Sequence, residues 1–257
     1  MKVLCLHAMY GNGTKFKMQL RTFLEAIQKV DPDMEFVFID GPYRVHPPPG
    51  FSDYFGPPPH YSALDVNDNG RGDIDEVLPK VNALPKGLAP EEKLRLMLGD
   101  RPARKAPLAR PAMDRLHRML DQDPEIQGVL GYSEGAMVAS TLILEETRRQ
   151  KEEGRTPQIK LGVFFGGWPP LLLENGTVRF LLSDECEESI YVPTVSVVGC
   201  NDPYIDGSLA LYNMCDEDTA TLFDHGMGHN LPSDPKTVDE LASAVKHAWD
   251  KAGEAEA

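Results

Sequence analysis

Residues 126–142 read IQGVLGYSEGAMVASTL and contain the pentapeptide Gly131-Tyr132-Ser133-Glu134-Gly135, which fits the pattern G-x-S-x-G. The apolar run before it predicts a buried strand, and the Ala, Val and Leu residues after it predict a helix over residues 135–149. Such a sharp turn strains its central residue, and the flanking glycines relieve the crowding that a Cβ would create. We therefore expect Ser133 to be a nucleophile at the carboxyl edge of a sheet, the alternative being a purely structural turn.

Short apolar segments alternate with helical segments along the rest of the chain. Segments that are apolar on both faces are typical of the strands of a parallel sheet covered by helices on both sides. We therefore predict an α/β fold with a mainly parallel sheet. The predicted strands cover residues 3–7, 36–39, 126–132, 160–165, 194–198 and 219–223, and the predicted helices cover residues 15–30, 135–149 and 238–248.

A serine is a weak nucleophile until a base takes its proton, so a histidine and an acid are expected after Ser133 in the chain. Asp202 lies in the loop that leaves the predicted strand 194–198, and His229 lies in a glycine-framed loop after the last strand. We predict that Asp202 orients His229, which acts as the base. Asp206, in the next helix, and Asp224, at a strand end, are the alternative acids.

Two backbone amides are expected to stabilise the oxyanion of the tetrahedral intermediate. The amide of Glu134, directly after the nucleophile, is the first predicted donor. The second normally comes from the loop after the first strand, where we choose Met9, with Ala8 and Tyr10 as alternatives. A simple turn between strand and helix is the other interpretation of this loop.

A proline-rich segment interrupts the alternation of strands and helices. Nearly half of residues 41–61 are Pro or Gly, and five aromatic residues are interleaved with them. Long loops of this kind are usually lids or linkers, and linkers are poor in aromatic residues. We predict a single domain over residues 1–257, with residues 41–118 as a lid- or cap-like insertion; an inert surface loop is the alternative. The candidate substrate-binding residues are Tyr10, Tyr54, Phe55 and Trp168.

Neither a metal nor a cofactor is expected. Residues 65–76 match the ligand positions of a calcium-binding EF-hand loop, but prolines at 57–59 and 79 oppose the two helices that such a loop requires. His225 and His229 have the spacing of a metal pair, but glycines at 226 and 228 oppose a helix between them. The segment Gly11-Asn12-Gly13 lacks the third glycine of a dinucleotide-binding motif.

Composition limits the partners of the chain. It contains 26 Lys and Arg against 40 Asp and Glu, a formal net charge of −14, which argues against nucleic acid as a partner. No apolar run is long enough to span a bilayer, and the first residues do not form a signal peptide. With four cysteines and no zinc-like spacing, we expect a cytoplasmic protein that has reduced thiols and does not bind a membrane.

Four motifs occur along the chain in a characteristic order. They are Val3-Leu4-Cys5-Leu6-His7, Phe36-Val37-Phe38-Ile39-Asp40-Gly41-Pro42, Gly131-Tyr132-Ser133-Glu134-Gly135-Ala136 and Gly228-His229-Asn230-Leu231-Pro232. Together they resemble the fungal serine hydrolase (FSH-type) family of α/β-hydrolases, which includes thioesterases that release polyketides, such as that of lovastatin biosynthesis. One departure is Ala8, where the family usually has glycine after the histidine.

The resemblance implies hydrolysis of a hydrophobic acyl ester or thioester through an acyl-Ser133 intermediate. In a polyketide-releasing role the substrate would arrive on an acyl carrier domain of a polyketide synthase. Such domains tend to be acidic, so the basic segment 101–118 is a candidate docking surface, the alternative being a solvated basic helix face. The other functions considered are a general small-molecule carboxylesterase and a non-catalytic binding protein with this fold.

Overall fold

The computed structural model describes residues 1–50, 55–64, 84–85, 87–98, 104–105, 109–174 and 176–254. Within these residues the chain forms eleven strands and seven helices. The strands are β1 (Lys2–Leu6), β2 (Glu35–Ile39), β3 (Tyr43–Val45), β4 (His60–Ser62), β5 (Arg104–Lys105), β6 (Ile126–Tyr132), β7 (Leu161–Phe165), β8 (Leu171–Glu174), β9 (Thr177–Phe180), β10 (Thr194–Val198) and β11 (Ala220–Asp224). The helices are α1 (Gly13–Gln19), α2 (Arg21–Val30), α3 (Pro90–Leu98), α4 (Arg110–Gln122), α5 (Glu134–Glu153), α6 (Ile205–Tyr212) and α7 (Pro235–Glu254).

Six strands form a central sheet in the order β11-β10-β7-β6-β1-β2, and every neighbouring pair is parallel. This confirms the predicted mainly parallel sheet. Because β6 lies between β1 and β7, its carboxyl end is flanked by the loops that leave those two strands. The turn at Ser133 therefore lies in the middle of the sheet edge where α/β proteins bind ligands.

Side chains from both faces of the sheet are buried under helices. Successive strand residues point to opposite faces, so Phe164 packs with helices α4 and α5, whereas Phe165 packs with α1, α2 and α7. Val129 and Leu130 of β6 divide in the same way. The strands around the nucleophile turn are thus fixed by apolar packing on both sides.

Some local features differ from the prediction. The helix expected over residues 15–30 is two helices that meet at Leu20, whose ψ of 1° departs from the helical value. Residues 41–61 were expected to lack secondary structure, but β3 and β4 pair there as an antiparallel hairpin. A second antiparallel sheet, β5-β9-β8, was not predicted.

No helix in the described part of the chain is both long and apolar enough to cross a membrane. The four cysteines are free, and Cys5 is buried in β1. Tyr54 and the EF-hand-like segment 65–76 lie outside the described residues. The single-domain organisation and the insertion at 41–118 stay predictions.

Candidate active site

Ser133 occupies a strained turn between β6 and α5. Its φ of 55° and ψ of −114° lie outside the regions that a non-glycine residue usually adopts. A Cβ on Gly131 would lie 2.2 Å from the carbonyl oxygen of Gly135, and one on Gly135 would lie 2.1 Å from that of Leu6. Both flanking positions therefore require glycine, and the predicted turn from strand to helix is confirmed.

The loops after β10 and β11 bring Asp202 and His229 together. His229 Nδ1 lies 2.7 Å from Asp202 Oδ2. Asp202 is buried, with 4% of its surface exposed, and its Oδ1 accepts a hydrogen bond of 2.7 Å from the amide of Tyr204. Because the carboxylate is held by its own loop, it can fix both the orientation and the tautomer of the imidazole.

The two alternative acids have other hydrogen-bond partners, and the neighbouring histidine, His225, is partly buried. Asp206 forms an ion pair of 2.7 Å with Lys93 of α3. Asp224 accepts hydrogen bonds from the amides of Cys200 and Gly226. Burial lowers the pKa of His225, which favours its neutral form. Of the three aspartates considered, Asp202 is the one in contact with His229.

Three residues that sequence reasoning did not select hold the imidazole of His229. The Tyr132 ring lies 5.5 Å from it, and the Tyr132 hydroxyl donates to the His229 carbonyl oxygen at 2.9 Å. Tyr204 packs edge-on against it at 5.2 Å. A Cβ on Gly166 would lie only 2.9 Å from His229 Cε1. Tyr132 also precedes the nucleophile, so it ties the histidine loop directly to β6.

The loop after β1, where the second oxyanion donor is predicted, is held from both sides of Met9. The carbonyl oxygen of Ala8 accepts hydrogen bonds from the amide of Gly11, at 2.9 Å, and from His7 Nδ1, at 2.7 Å. His7 Nε2 accepts from the amide of Gly41, so its proton lies on Nδ1 in the neutral ring. Burial lowers the pKa of His7, which favours this neutral form.

Ala8, where the FSH family usually has glycine, does not need the conformational freedom of glycine. Among the described non-glycine residues, positive φ angles occur at Tyr10, with 63°, and at Ser133, with 55°. The departure from the family pattern therefore causes no backbone strain at position 8. The strained residue of this loop is Tyr10, on the other side of Met9.

The side chain of Glu134 is buried beside the nucleophile, which the sequence did not indicate. Its Oε1 lies 2.7 Å from the Ser62 hydroxyl, and its Oε2 accepts a hydrogen bond of 3.0 Å from the amide of Ala63. Burial raises the pKa of Glu134 to about 7, although the hydrogen bonds from Ala63, Ser62 and Leu64 act in the opposite direction. Glu134 thus contributes a carboxyl group as well as the predicted amide donor.

The predicted substrate-binding residues lie in two separate groups. Tyr10 and Phe55 contact each other, with ring centroids 4.9 Å apart, on the side of the loop after β1. Trp168 lies in the loop after β7 and contacts Tyr204, which in turn contacts His229. Tyr54 is outside the described residues. Their contacts with substrate stay predictions.

A small apolar cleft of about 30 Å³, open to solvent, lies at the carboxyl ends of β1 and β2. His7, Gly41 and Ala63 line it together with residues of α4 and α5. Its walls therefore include the loop after β1 and the segment that Glu134 binds. In the described part of the chain, no group of three or more His, Cys, Asp or Glu side chains is arranged to hold a metal ion.

A protein-family model described as "Serine hydrolase (FSH1)" matches residues 1–241. The chain belongs to this family. It is a serine hydrolase, as predicted, and the six-stranded parallel sheet with its strand-to-helix serine turn is the α/β-hydrolase fold.

Curated proteins similar to this serine hydrolase include Esterase FPY3 of Fusarium mangiferae, with 26% identity over 98% of each chain. Thioesterase FSL2 of Gibberella zeae is 26% identical, over 97% of this chain and 93% of that protein. Among solved structures, SOBER1 of Arabidopsis thaliana matches with a TM-score of 0.57 and 16% identity, over 97% of this chain and 99% of that chain. At that identity the likeness to SOBER1 concerns the fold alone.

Proposed function

We propose that this serine hydrolase cleaves an ester or thioester through an acyl-Ser133 intermediate, with His229 as general base and Asp202 as its orienting acid. The observation that carries the proposal is the 2.7 Å contact between His229 Nδ1 and Asp202 Oδ2, with the His229 ring packed against Tyr132, the residue that precedes the serine of the strained turn. His229 Nε2 takes the proton of Ser133 Oγ as the oxygen attacks the carbonyl carbon. The imidazolium then gives this proton to the departing alcohol or thiol. In the second half of the reaction His229 takes a proton from water, which attacks the acyl-Ser133 carbonyl, and Ser133 Oγ leaves with that proton as the acid is released.

Asp202 stabilises the imidazolium that forms during each proton transfer. Its carboxylate is buried, so little water screens its attraction to the positively charged ring. The amides of Glu134 and Met9 are the proposed oxyanion donors, each worth roughly 3 kcal/mol of the barrier. The amide of Glu134 lies at the start of α5, where the helix dipole also favours negative charge.

A fluorophosphonate probe, which phosphonylates activated serines, tests the nucleophile. We expect the wild-type protein to be labelled. The control Ser243→Ala, on α7, should be labelled as well, since α7 covers the face of the sheet opposite to α5. Ser133→Ala should not be labelled. Labelling of Ser133→Ala at the wild-type rate would refute the assignment of the nucleophile.

Within this chemistry we infer that the substrate is a hydrophobic polyketide acyl chain carried as a thioester on the carrier domain of a synthase. Support comes from the resemblance to polyketide-releasing members of the family and from the similarity to Thioesterase FSL2. A general carboxylesterase is the second candidate, supported by the similarity to Esterase FPY3. The non-catalytic alternative is disfavoured because no member of the proposed triad has been lost.

Two substrates of matched acyl group separate these candidates. A carrier-releasing thioesterase is expected to have a higher kcat/KM for the carrier-bound acyl thioester than for the corresponding N-acetylcysteamine thioester or aryl ester. Equal or lower kcat/KM for the carrier-bound substrate would favour the general esterase.

The contacts of the basic segment sharpen the docking test. Arg110 pairs with Glu145, at 3.2 Å, and Arg115 donates to the carbonyl oxygen of Asp40, at 2.6 Å, so both have roles within the fold. Arg118 is exposed on α4. If an acidic carrier docks there, Arg118→Glu raises KM for the carrier-bound substrate alone, whereas Arg21→Glu on α2 does not. Unchanged KM in Arg118→Glu would contradict docking at this face.

A further inference from the structure

The carboxyl group of Glu134 is a buried acid beside Ser133 that the proposed mechanism does not use. Glu134 is 6% exposed and begins α5, directly after Ser133. Its two oxygens contact successive residues of one segment, the hydroxyl of Ser62 and the amide of Ala63. The side chain therefore joins the nucleophile turn to the end of β4.

The hydrogen-bond partners of Ser62 indicate the protonation state of Glu134. Ser62 Oγ lies 2.7 Å from Glu134 Oε1 and 2.8 Å from the carbonyl oxygen of Leu64, and it accepts a hydrogen bond from the amide of Leu64. A hydroxyl has one hydrogen, which cannot serve both a carboxylate and a carbonyl oxygen. If Glu134 is protonated, its O–H donates to Ser62 Oγ, and Ser62 donates to Leu64.

The opposite end of this segment is attached to the loop of the second predicted oxyanion donor. The amide of Tyr61 donates to the carbonyl oxygen of Gly11 at 2.8 Å, and His60 Nδ1 lies 2.9 Å from that of Tyr10. Asn12 Nδ2 donates to the carbonyl oxygen of Pro59 at 2.8 Å. Strand β4 therefore connects Glu134 to residues 10–12.

A second connection runs through His7. A Cβ on Gly41 would lie 2.4 Å from the carbonyl oxygen of Ser62, so the two backbones are in close contact. The amide of Gly41 donates to His7 Nε2, and His7 Nδ1 donates to the carbonyl oxygen of Ala8. Residues on both sides of Met9 are thus linked to the segment that Glu134 binds.

We propose that Glu134 is a positioning residue that carries a proton and, through β4, sets the distance between the Met9 loop and Ser133. The proposal rests on the proposed function, in which the amides of Met9 and Glu134 bind the oxyanion. Donors placed for the transition state lose effect when they are displaced by even an ångström. The protonated side chain keeps the two donors at a fixed separation.

The pKa of Glu134, raised to about 7 by its burial, places loss of this proton near neutral pH. Six titratable or charged groups lie on the elements around it, and the hydrogen bonds seen for these groups within the described residues go to partners other than Glu134. They are His7, Lys15, Asp40, Arg44, His60 and Arg115. Above this pH the Ser62 hydroxyl donates its hydrogen bond to the Glu134 carboxylate. It then has no hydrogen left to donate to the carbonyl oxygen of Leu64, and the two oxygen atoms face each other. We expect the segment to loosen.

Three variants, assayed for hydrolysis of a small aryl ester from pH 6 to pH 9, test this role. Glu134→Gln offers a carbonyl oxygen to Ala63 and an N–H to Ser62, as the protonated acid does, whereas Glu134→Ala keeps the backbone amide but loses both contacts. Glu91→Gln is the control, since Glu91 is also buried but accepts hydrogen bonds from Ser183 and Asn213 instead of from the segment that Glu134 binds.

We expect kcat of the wild type and of Glu91→Gln to fall above about pH 7, and kcat of Glu134→Gln to stay level up to pH 9. Glu134→Ala should lose about tenfold or more in kcat at every pH, with a smaller change in KM. A wild-type kcat that stays level from pH 7 to pH 9, or equal losses in the glutamine and alanine variants, would overturn the proposal.

Infrared spectroscopy measures the proton without any turnover. The carbonyl band of a protonated carboxylic acid should be present at pH 6 in the wild type and in Glu91→Gln, and it should be reduced in Glu134→Gln. An undiminished band in Glu134→Gln refutes the protonated state. Retained hydrolysis by Ser133→Ala would instead refute the proposed function, so the two failures are distinguishable.

Discussion

Replacement of Gly166 by alanine is expected to displace His229, the proposed catalytic base, while leaving the residues of the proposed triad unchanged. The alanine Cβ would lie 2.9 Å from His229 Cε1 and 3.1 Å from Nδ1. Carbon atoms in contact prefer a separation of about 3.5 Å or more, so the imidazole must move by roughly half an ångström. It cannot move without changing its 2.7 Å contact with Asp202.

Displacement of this size is expected to lower kcat by about 10- to 100-fold, because proton transfer requires close alignment of donor and acceptor. The backbone adds a separate effect on stability. Gly166 has a φ of +51°, a conformation that costs an alanine about 1–2 kcal/mol. The variant should therefore be both less stable and much less active.

Gly154→Ala is the matched control for the backbone effect. Gly154 has a φ of +68° at the end of α5, and a Cβ there would meet nothing within 4 Å. We expect a similar loss of stability in thermal unfolding and wild-type kcat with an aryl ester below the unfolding temperature. If Gly166→Ala keeps the wild-type kcat, or if Gly154→Ala loses as much kcat as Gly166→Ala, then crowding of His229 does not explain the loss of activity.

Three further changes test other contacts of the site. Asp202→Asn removes the charge that stabilises the imidazolium, and kcat should fall on the order of 10³-fold or more; a loss below tenfold would move the acid elsewhere. Tyr132→Phe keeps the ring against His229 but loses a hydrogen bond worth about 1 kcal/mol, so kcat should fall about fivefold in the same steady-state assay, and an unchanged value contradicts the role of the hydroxyl. Burial raises the pKa of Glu134 from 4.5 to about 7, so between these pH values the folded protein retains a proton that the unfolded chain releases. The free energy of unfolding is therefore expected to fall as the pH rises from 4.5 to about 7. In urea unfolding, this decrease in the free energy of unfolding should be smaller in Glu134→Gln than in the wild type by up to about 3 kcal/mol. The same pH dependence in both proteins would contradict the raised pKa of Glu134.

The nucleophile turn could be predicted because its determinants are adjacent in sequence. Gly131 and Gly135 lie two residues from Ser133, and the steric demand on both comes from the turn and from β1, which the fold always places beside it. The same locality made the strands predictable, since an apolar segment of five to seven residues specifies its own burial. The contact between Asp202 and His229 followed from the order of the loops along the sheet edge.

Gly166 could not be recognised because its collision partner, His229, is distant in sequence. A glycine pair after a buried strand, Gly166-Gly167, was the available signal, but it does not identify what the missing side chain would meet. The hairpin of β3 and β4 was missed for a related reason. Its prolines suggested an irregular loop, whereas contacts with Gly11 and Glu134 order the segment.

Three unfavourable local features lie around the proposed oxyanion hole. Ser133 and Tyr10 have positive φ angles, and Glu134 is a buried acid, three arrangements that are unfavourable when taken alone. Ser133 is the proposed nucleophile, Glu134 supplies one proposed amide donor, and Tyr10 directly follows Met9, which supplies the other. Unfavourable local conformations persist only where surrounding contacts determine them, and here β4 and His7 provide those contacts. Substitutions that relax the two strained backbone positions, Ser133 and Tyr10, should therefore stabilise the fold at the expense of kcat.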